Sequence, residues 1–237
     1  VLALMRQLKD EREIELLAAS SAVTDEVFTA ICDRPFVGRS ELEVAREITS
    51  MLEARGLSVP GLPIVASGPN SASPHHHTGE RVIQSGDMLV LDFGGTLHGY
   101  YSDITRTVFV GEAPQEDSER LRVYNLVARA QDAAVQTGRP GMTCEQLDSV
   151  ARDILAEGGY GAFFTHRLGH GIGLDGHEPP YLVQGNGTLL RPGMAFTIEP
   201  GLYLPGDFGI RIEDTVILTS DGIRRLNNVS RDVVIVN

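Results

Sequence analysis

The chain has 237 residues, 42% of them hydrophobic and 22% charged, with a formal net charge of −12; that length allows one large domain or two small ones around a substantial core. The acidic balance speaks against nucleic acid or an anionic membrane surface as partners, and no run of 18 apolar residues offers a membrane span. The opening VLALMRQLKDEREIELL turns charged at once and lacks a small-residue cleavage site, so it does not read as a secretory signal.

In chain order, residues 10–31 carry Ile14, Leu17, Ala18, Val27 and Ile31 at helical spacing. Ser40 and Glu43 form a capping box that opens a second helix, ending near Gly56. A loop-rich stretch from Ser58 to Arg81 leads to a hairpin-like region, Asp87 to Val110. The second half repeats this order: a helix from Glu119 to Gln136, a capping box at Thr143 and Gln146 opening a helix to about Glu157, then glycine-rich and strand-like segments through Leu218. The match goes finer, because Asp92 follows Gly86 by six residues just as Glu199 follows Gly193, and Asp103-Ile-Thr is echoed by Glu213-Asp-Thr. An α+β fold with duplicated helix–helix–strand–strand halves is expected, about 10–110 and 117–220, against the alternative of chance likeness between two halves. Cys32 and Cys144 lie far apart in sequence and read as small hydrophobes of a reducing compartment, which points to the cytoplasm.

Asp92 and Asp103 stand in otherwise apolar, β-prone surroundings. A buried ionised carboxylate without a partner costs several kcal/mol or more, so the pair needs compensation. With a turn around Leu97 and His98, the two aspartates are expected to oppose one another on one face of a hairpin. Glu199 and Glu213, bordered by Phe196, Ile198, Ile210 and Ile212, form a second pair, and His170 sits among glycines that leave its imidazole in a cleft. Four carboxylates and one imidazole suit two divalent ions of the Mn, Co or Zn type.

These residues carry a resemblance. L-D92-F-G with S-D103-I-T-R-T, G-H170-G-I-G-L-D-G-H177-E-P-P, T-I-E199-P-G, G-I-R211-I-E213-D-T and S-G-P-N-S-A-S-P-H75 together resemble the pita-bread metallopeptidases, in particular their proline-specific branch of Xaa-Pro dipeptidases and aminopeptidase P. The resemblance implies a pita-bread fold around a curved antiparallel sheet. It also implies two divalent metal ions, Mn foremost with Co or Zn as alternatives, held by Asp92, Asp103, His170, Glu199 and Glu213. Glu199 is then the general base, with His75 and His177 flanking the substrate. His166, Arg106 and Arg211 are expected to support the ligands or the substrate, the two arginines by orienting carboxylates. His76 and His77 read as loop residues.

The activity implied is hydrolysis of the Xaa-Pro bond at the N-terminus of di- or oligopeptides. The partner is a peptide with proline second, and a homodimer is open. Two departures from the family pattern stand out. The insertion that bears a substrate-carboxylate arginine in classical prolidases is missing, and Arg191, the arginine in that gap, reads as a surface residue. The N-terminal domain usual in proline-specific relatives is also absent, so 1–237 reads as a single catalytic domain, either a fragment or a naturally short form. A non-catalytic peptide-binding module on the same fold and a creatinase-like metal-free hydrolase are the rival readings; the complete set of five ligands argues against both.

Overall fold

The computed structural model describes residues 2–237. Its first half packs α2 (Glu11–Cys32) and α3 (Glu41–Ala54) on a sheet built from β1 (Ile64–Ser67), β2 (Met88–Leu97) and β3 (Tyr100–Val110). Its second half packs α4 (Glu119–Thr137) and α5 (Cys144–Glu157) with β4 (Gly169–Gly171), β5 (Glu178–Leu182), β6 (Ala195–Ile198), β9 (Asp214–Leu218) and β10 (Ile223–Arg225). A hairpin of β7 (Gly201–Leu204) and β8 (Phe208–Arg211) is inserted between β6 and β9. A short α1 (Leu2–Gln7) precedes, and β11 (Ile235–Val236) follows.

Both expected capping boxes form, Ser40 with Glu43 and Thr143 with Gln146. A third, Asp10 with Glu13, opens α2. The two halves share their hydrogen bonds as well as their order. The Gly38 N–H donates to the Ile83 carbonyl at 3.0 Å, and the Gly141 N–H donates to the Leu190 carbonyl at 2.9 Å. The Glu41 N–H donates to Arg81 and the Cys144 N–H to Thr188 in the same way. Gly86 and Gly193, which lead into β2 and β6, have φ of +89° and +90°, a conformation that favours glycine. The strand orders β1-β2-β3 and β4-β6-β9 match, each antiparallel throughout.

The sheet itself departs from expectation in two respects. It carries one parallel edge, β11 on β3, and it is interrupted between the halves, where a single bridge from Thr105 to Glu213 joins the two ladders. Each half keeps its own core: Val27, Ile31, Ile48, Leu91 and Ile104 in the first, Val127, Leu147, Phe196, Ile198 and Val216 in the second.

Period-2 alternation explains how carboxylates came to lie in these strands. On β2, Leu89, Leu91 and Phe93 face the helices of their own half, and on β3 Ile104 and Val108 do the same. Asp92, Asp103 and Thr105 have the opposite parity and face the second half. The hairpin register differs from the one expected. Leu97 pairs with Tyr100, so the turn is His98-Gly99, with φ of +53° and +86° as a tight two-residue loop requires. Asp92 is therefore opposite Thr105 and Asp103 opposite Gly94; the two aspartates are diagonal neighbours on one face.

Candidate metal centre and active-site cavity

A cavity of about 580 Å³ opens where the two sheets meet. It is lined by Asp92, Asp103, His170, Glu199 and Glu213, by His75, His166 and His177, and by Arg211. The five residues expected to hold metal thus come together from β2, β3, β4 and the segments after β6 and β8. They fall into overlapping trios, Asp92–Asp103–Glu213 and His170–Glu199–Glu213, each offering ligand atoms within 4.8 Å of one another; Asp103, His170 and His177 make a third.

The electrostatics of this cluster are unbalanced. Burial raises Asp103 well above the usual carboxylate range, and Asp92 and Glu199 push it further. Glu213 is raised by burial and by the same crowding, Asp103 foremost. Glu199 is pushed up to about 7 by burial, against the pull of Arg211. The only cation directly paired with a cluster carboxylate among the described residues is Arg211, whose Nη2 lies 2.5 Å from Asp92 Oδ2.

His170 makes the imbalance specific. Burial lowers it to about 3, so the ring is neutral. Its Nδ1 lies 3.1 Å from the Gly171 carbonyl, which can only accept, so Nδ1 carries the proton. Nε2 is then a bare lone pair, yet it sits 3.3 Å from Glu199 Oε1 and 3.8 Å from Asp103 Oδ2. Acceptors facing acceptors repel unless a cation or proton stands between them. The donor set, carboxylate oxygens with one imidazole nitrogen and no thiolate, fits divalent ions of the Mn, Co or Zn type.

Several supporting residues were not foreseen. Thr197 Oγ1 donates to Glu199 Oε1 at 3.0 Å and accepts from the His170 N–H at 3.1 Å. Thr105 Oγ1 donates to Glu213 Oε2. Tyr203 accepts from Arg211 Nη1 at 2.8 Å. The D-I-T and E-D-T echo in the sequence was the available signal for Thr105, and Thr197 stands in the T-I-E199-P-G motif; nothing local marked Tyr203.

Arg211 lies where expected, against the cluster, and also donates to the Pro74 carbonyl at 3.3 Å, beside His75. Arg106 does not orient a cluster carboxylate. It ion-pairs with Asp214 at 2.6 Å and donates to the carbonyls of Thr105 and Glu213. The reason is parity: Arg106 is three residues from Asp103 and faces away from the cavity, whereas Arg211 is two from Glu213 and faces into it. His166 spends both ring nitrogens elsewhere, Nδ1 on the Arg167 carbonyl at 2.8 Å and Nε2 on Tyr203 at 2.9 Å. His177 stacks on His170 with centroids 3.8 Å apart, and its Nδ1 accepts from Arg167 Nη2 at 3.2 Å. His76 is more than a loop residue, since Nε2 lies 2.8 Å from the fully buried Glu41. Arg191 is exposed, as expected, and Cys32 and Cys144 are unpaired. Among the described residues no helix is long and apolar enough to cross a membrane.

Comparison with known proteins agrees with this geometry. The model of metallopeptidase family M24 matches residues 15–220. A probable dipeptidase PepE of Mycobacterium tuberculosis is 46% identical over 237 residues, covering 100% of this chain and 62% of its own. The structure of a dipeptidase from Pyrococcus horikoshii superposes with a TM-score of 0.95 at 41% identity, covering 99% of this chain and 65% of that one. An X-Pro aminopeptidase from Thermotoga maritima does so at 0.95 and 40%, covering 99% and 66%. The chain spans slightly less than two thirds of the length of each of these relatives. A family match over most of the chain, joined to the pita-bread likeness of its fold, leads to one conclusion: the chain belongs to metallopeptidase family M24.

Proposed function

We propose that the cavity is the active site of a metal-dependent peptidase that hydrolyses the Xaa-Pro bond at a peptide's N-terminus. The observation that carries this reading is the bare Nε2 of His170 aimed at the carboxylates of Glu199 and Asp103. Asp92, Asp103, His170, Glu199 and Glu213 would hold two divalent ions, manganese foremost. Ions so held supply a Lewis acid for the scissile carbonyl and lower the pKa of a water near neutral pH.

The chain's own residues supply the rest. Glu199, oriented by Thr197, is the base that takes a proton and passes it to the leaving imino nitrogen. Because Arg167 can only donate, Nδ1 of His177 accepts and its Nε2 carries a proton, which can be given to the carbonyl oxygen as charge develops. His75 lines the same cavity and flanks the substrate from the first half. Proline lacks an N–H, so a site that grips peptide through backbone ladder bonds fits it badly, and a cavity walled by side chains suits it better.

Arg167 lines the cavity, lies 4.8 Å over the Tyr181 ring, and has no carboxylate partner among the described residues. In this reading it takes the C-terminal carboxylate of a dipeptide, the part assigned elsewhere in the family to an arginine that this chain lacks. The unpaired Cys32 and Cys144 support the cytoplasm as the compartment. A homodimer is the assembly carried over from the resemblance. Residues 1–237 are taken as one catalytic domain. The test is a panel of Ala-Pro and Ala-Pro-Ala with and without manganese and a chelator. Manganese-dependent release of alanine, faster from Ala-Pro, is expected; absence of turnover with any divalent ion overturns the reading.

A further inference from the structure

Lys9 is the only lysine in the chain; every other of its 20 lysines and arginines is an arginine. Its side chain is 1% exposed, and its ammonium lies 2.6 Å from Glu178 Oε1, itself buried. Burial pulls the ammonium below its ordinary value, with Glu178 opposing that pull. Arg6 completes the arrangement, with Nη2 2.9 Å from Glu178 Oε2 and 2.6 Å from Asp175 Oδ2. The backbone is pinned as well, since the Lys9 N–H donates to the Gly193 carbonyl at 2.7 Å.

The lysine reaches Glu178 by passing Gly173. A Cβ on Gly173 would lie 2.9 Å from Lys9 Cε and 3.0 Å from both Lys9 Nζ and Glu178 Oε1. The missing side chain is therefore a slot for a slender stem, which the planar fork of an arginine would fill poorly. The segment held in this way is 173–178, which carries His177 directly before Glu178. Leu174, Asp175 and His177 in it are exposed, while Gly173 and Glu178 at its two ends are buried. From outside, the segment is held by the Tyr101 N–H on the Gly173 carbonyl at 2.8 Å, by the pairing of Glu178 with Gly171 in the β4–β5 ladder, by the contacts of His177 with His170 and Arg167, and by the charges of Arg6 and Lys9 on Asp175 and Glu178.

We propose that Lys9, with Arg6 beside it, is a positioning residue for His177: the buried Lys9–Glu178 pair fixes the backbone from which His177 reaches the cavity. Both basic residues precede the span matched by the family model, which begins at residue 15. The inference rests on the reading of the cavity as a peptidase site. A donor that acts on developing charge affects kcat more than KM.

The test is a double-mutant cycle on Ala-Pro hydrolysis with manganese. Lys9→Met lowers kcat about tenfold and leaves KM within about twofold, with manganese per chain unchanged. In a His177→Ala background the same substitution costs less than about twofold. Equal losses in both backgrounds, or no loss in the first, overturn the proposal. If Lys9→Met does not fold, Arg6→Gln, at a partly exposed site, takes its place with an expected loss of about threefold and the same cycle. If the wild type shows no turnover, the peptidase reading fails on its own. Amide hydrogen exchange over residues 174–178 still decides the positioning: about tenfold faster exchange in the variant upholds it, and unchanged exchange refutes it.

Discussion

Thr105 and Glu213 hold each other across the seam between the two sheets. The Glu213 N–H donates to the Thr105 carbonyl at 3.0 Å, and Thr105 Oγ1 donates back to Glu213 Oε2. The duplicated partner does the reciprocal job, Thr215 Oγ1 donating to the Asp103 carbonyl at 3.0 Å. The carboxylates of Asp103 and Glu213 are thereby set from opposite halves at one point.

Thr105→Val keeps the shape of the side chain and removes its donor. Metal affinity should fall about tenfold, the order seen when a group orienting a ligand is lost. A manganese titration of the folded variant measures this; unchanged affinity would mean that Glu213 is oriented without Thr105.

Arg211→Met removes the cation that faces Asp92 and leaves that carboxylate among three others. Breaking a buried pair costs about 3–5 kcal/mol, so the metal-free variant should melt far below the wild type. Manganese should recover part of the loss, because ions that bind only the folded state stabilise it by mass action. Thermal melts with and without manganese test this through the gap between them, which should widen in the variant.

Arg106→Met separates the fold from the site. Arg106 is 2% exposed and pairs with Asp214, which also accepts from Arg225 at 3.0 Å, Arg231 at 3.3 Å and Gln131 at 2.9 Å. The loss in stability should be about 2–3 kcal/mol, below the full cost of an orphaned charge because other donors remain. Manganese per folded chain should stay at the wild-type value. Chemical denaturation and metal analysis of the same sample check both statements.

His166 gives a pH signature. Its folded pKa is about 4, lowered from 6.5 by burial, with Arg211, His75 and Arg152 adding to the effect; Tyr203 and the Arg167 carbonyl take its two nitrogens. Between pH 6.5 and 4 the unfolded chain binds a proton that the folded chain does not. Stability from this group is therefore complete above 6.5 and lost as pH falls toward 4, by at most about 3 kcal/mol. His166→Gln should flatten that part of the denaturation profile, and an unaltered profile would count against it.

Much of this was legible in the residues themselves. The capping boxes at Ser40 and Thr143 and the paired glycines Gly86 and Gly193 marked the duplication, because caps and positive-φ turns are dictated locally. The carboxylates that meet in the cavity were legible as acids misplaced in or beside apolar strands. The hairpin register was not, since His98-Gly99 makes a tight turn only because His98 accepts a positive φ. Arg106 was misassigned by counting distance along the chain without parity. The Lys9–Glu178 pair is separated by 169 residues and has no local signature.

If acids from both halves hold a pair of ions in one cavity, the number of manganese ions bound per chain reads this out directly, for the wild type and for Asp103→Asn, both verified as folded. Two ions in the wild type and fewer than one in the variant are predicted. A wild type that binds no manganese at saturation, or a variant that binds as much as the wild type, would contradict it.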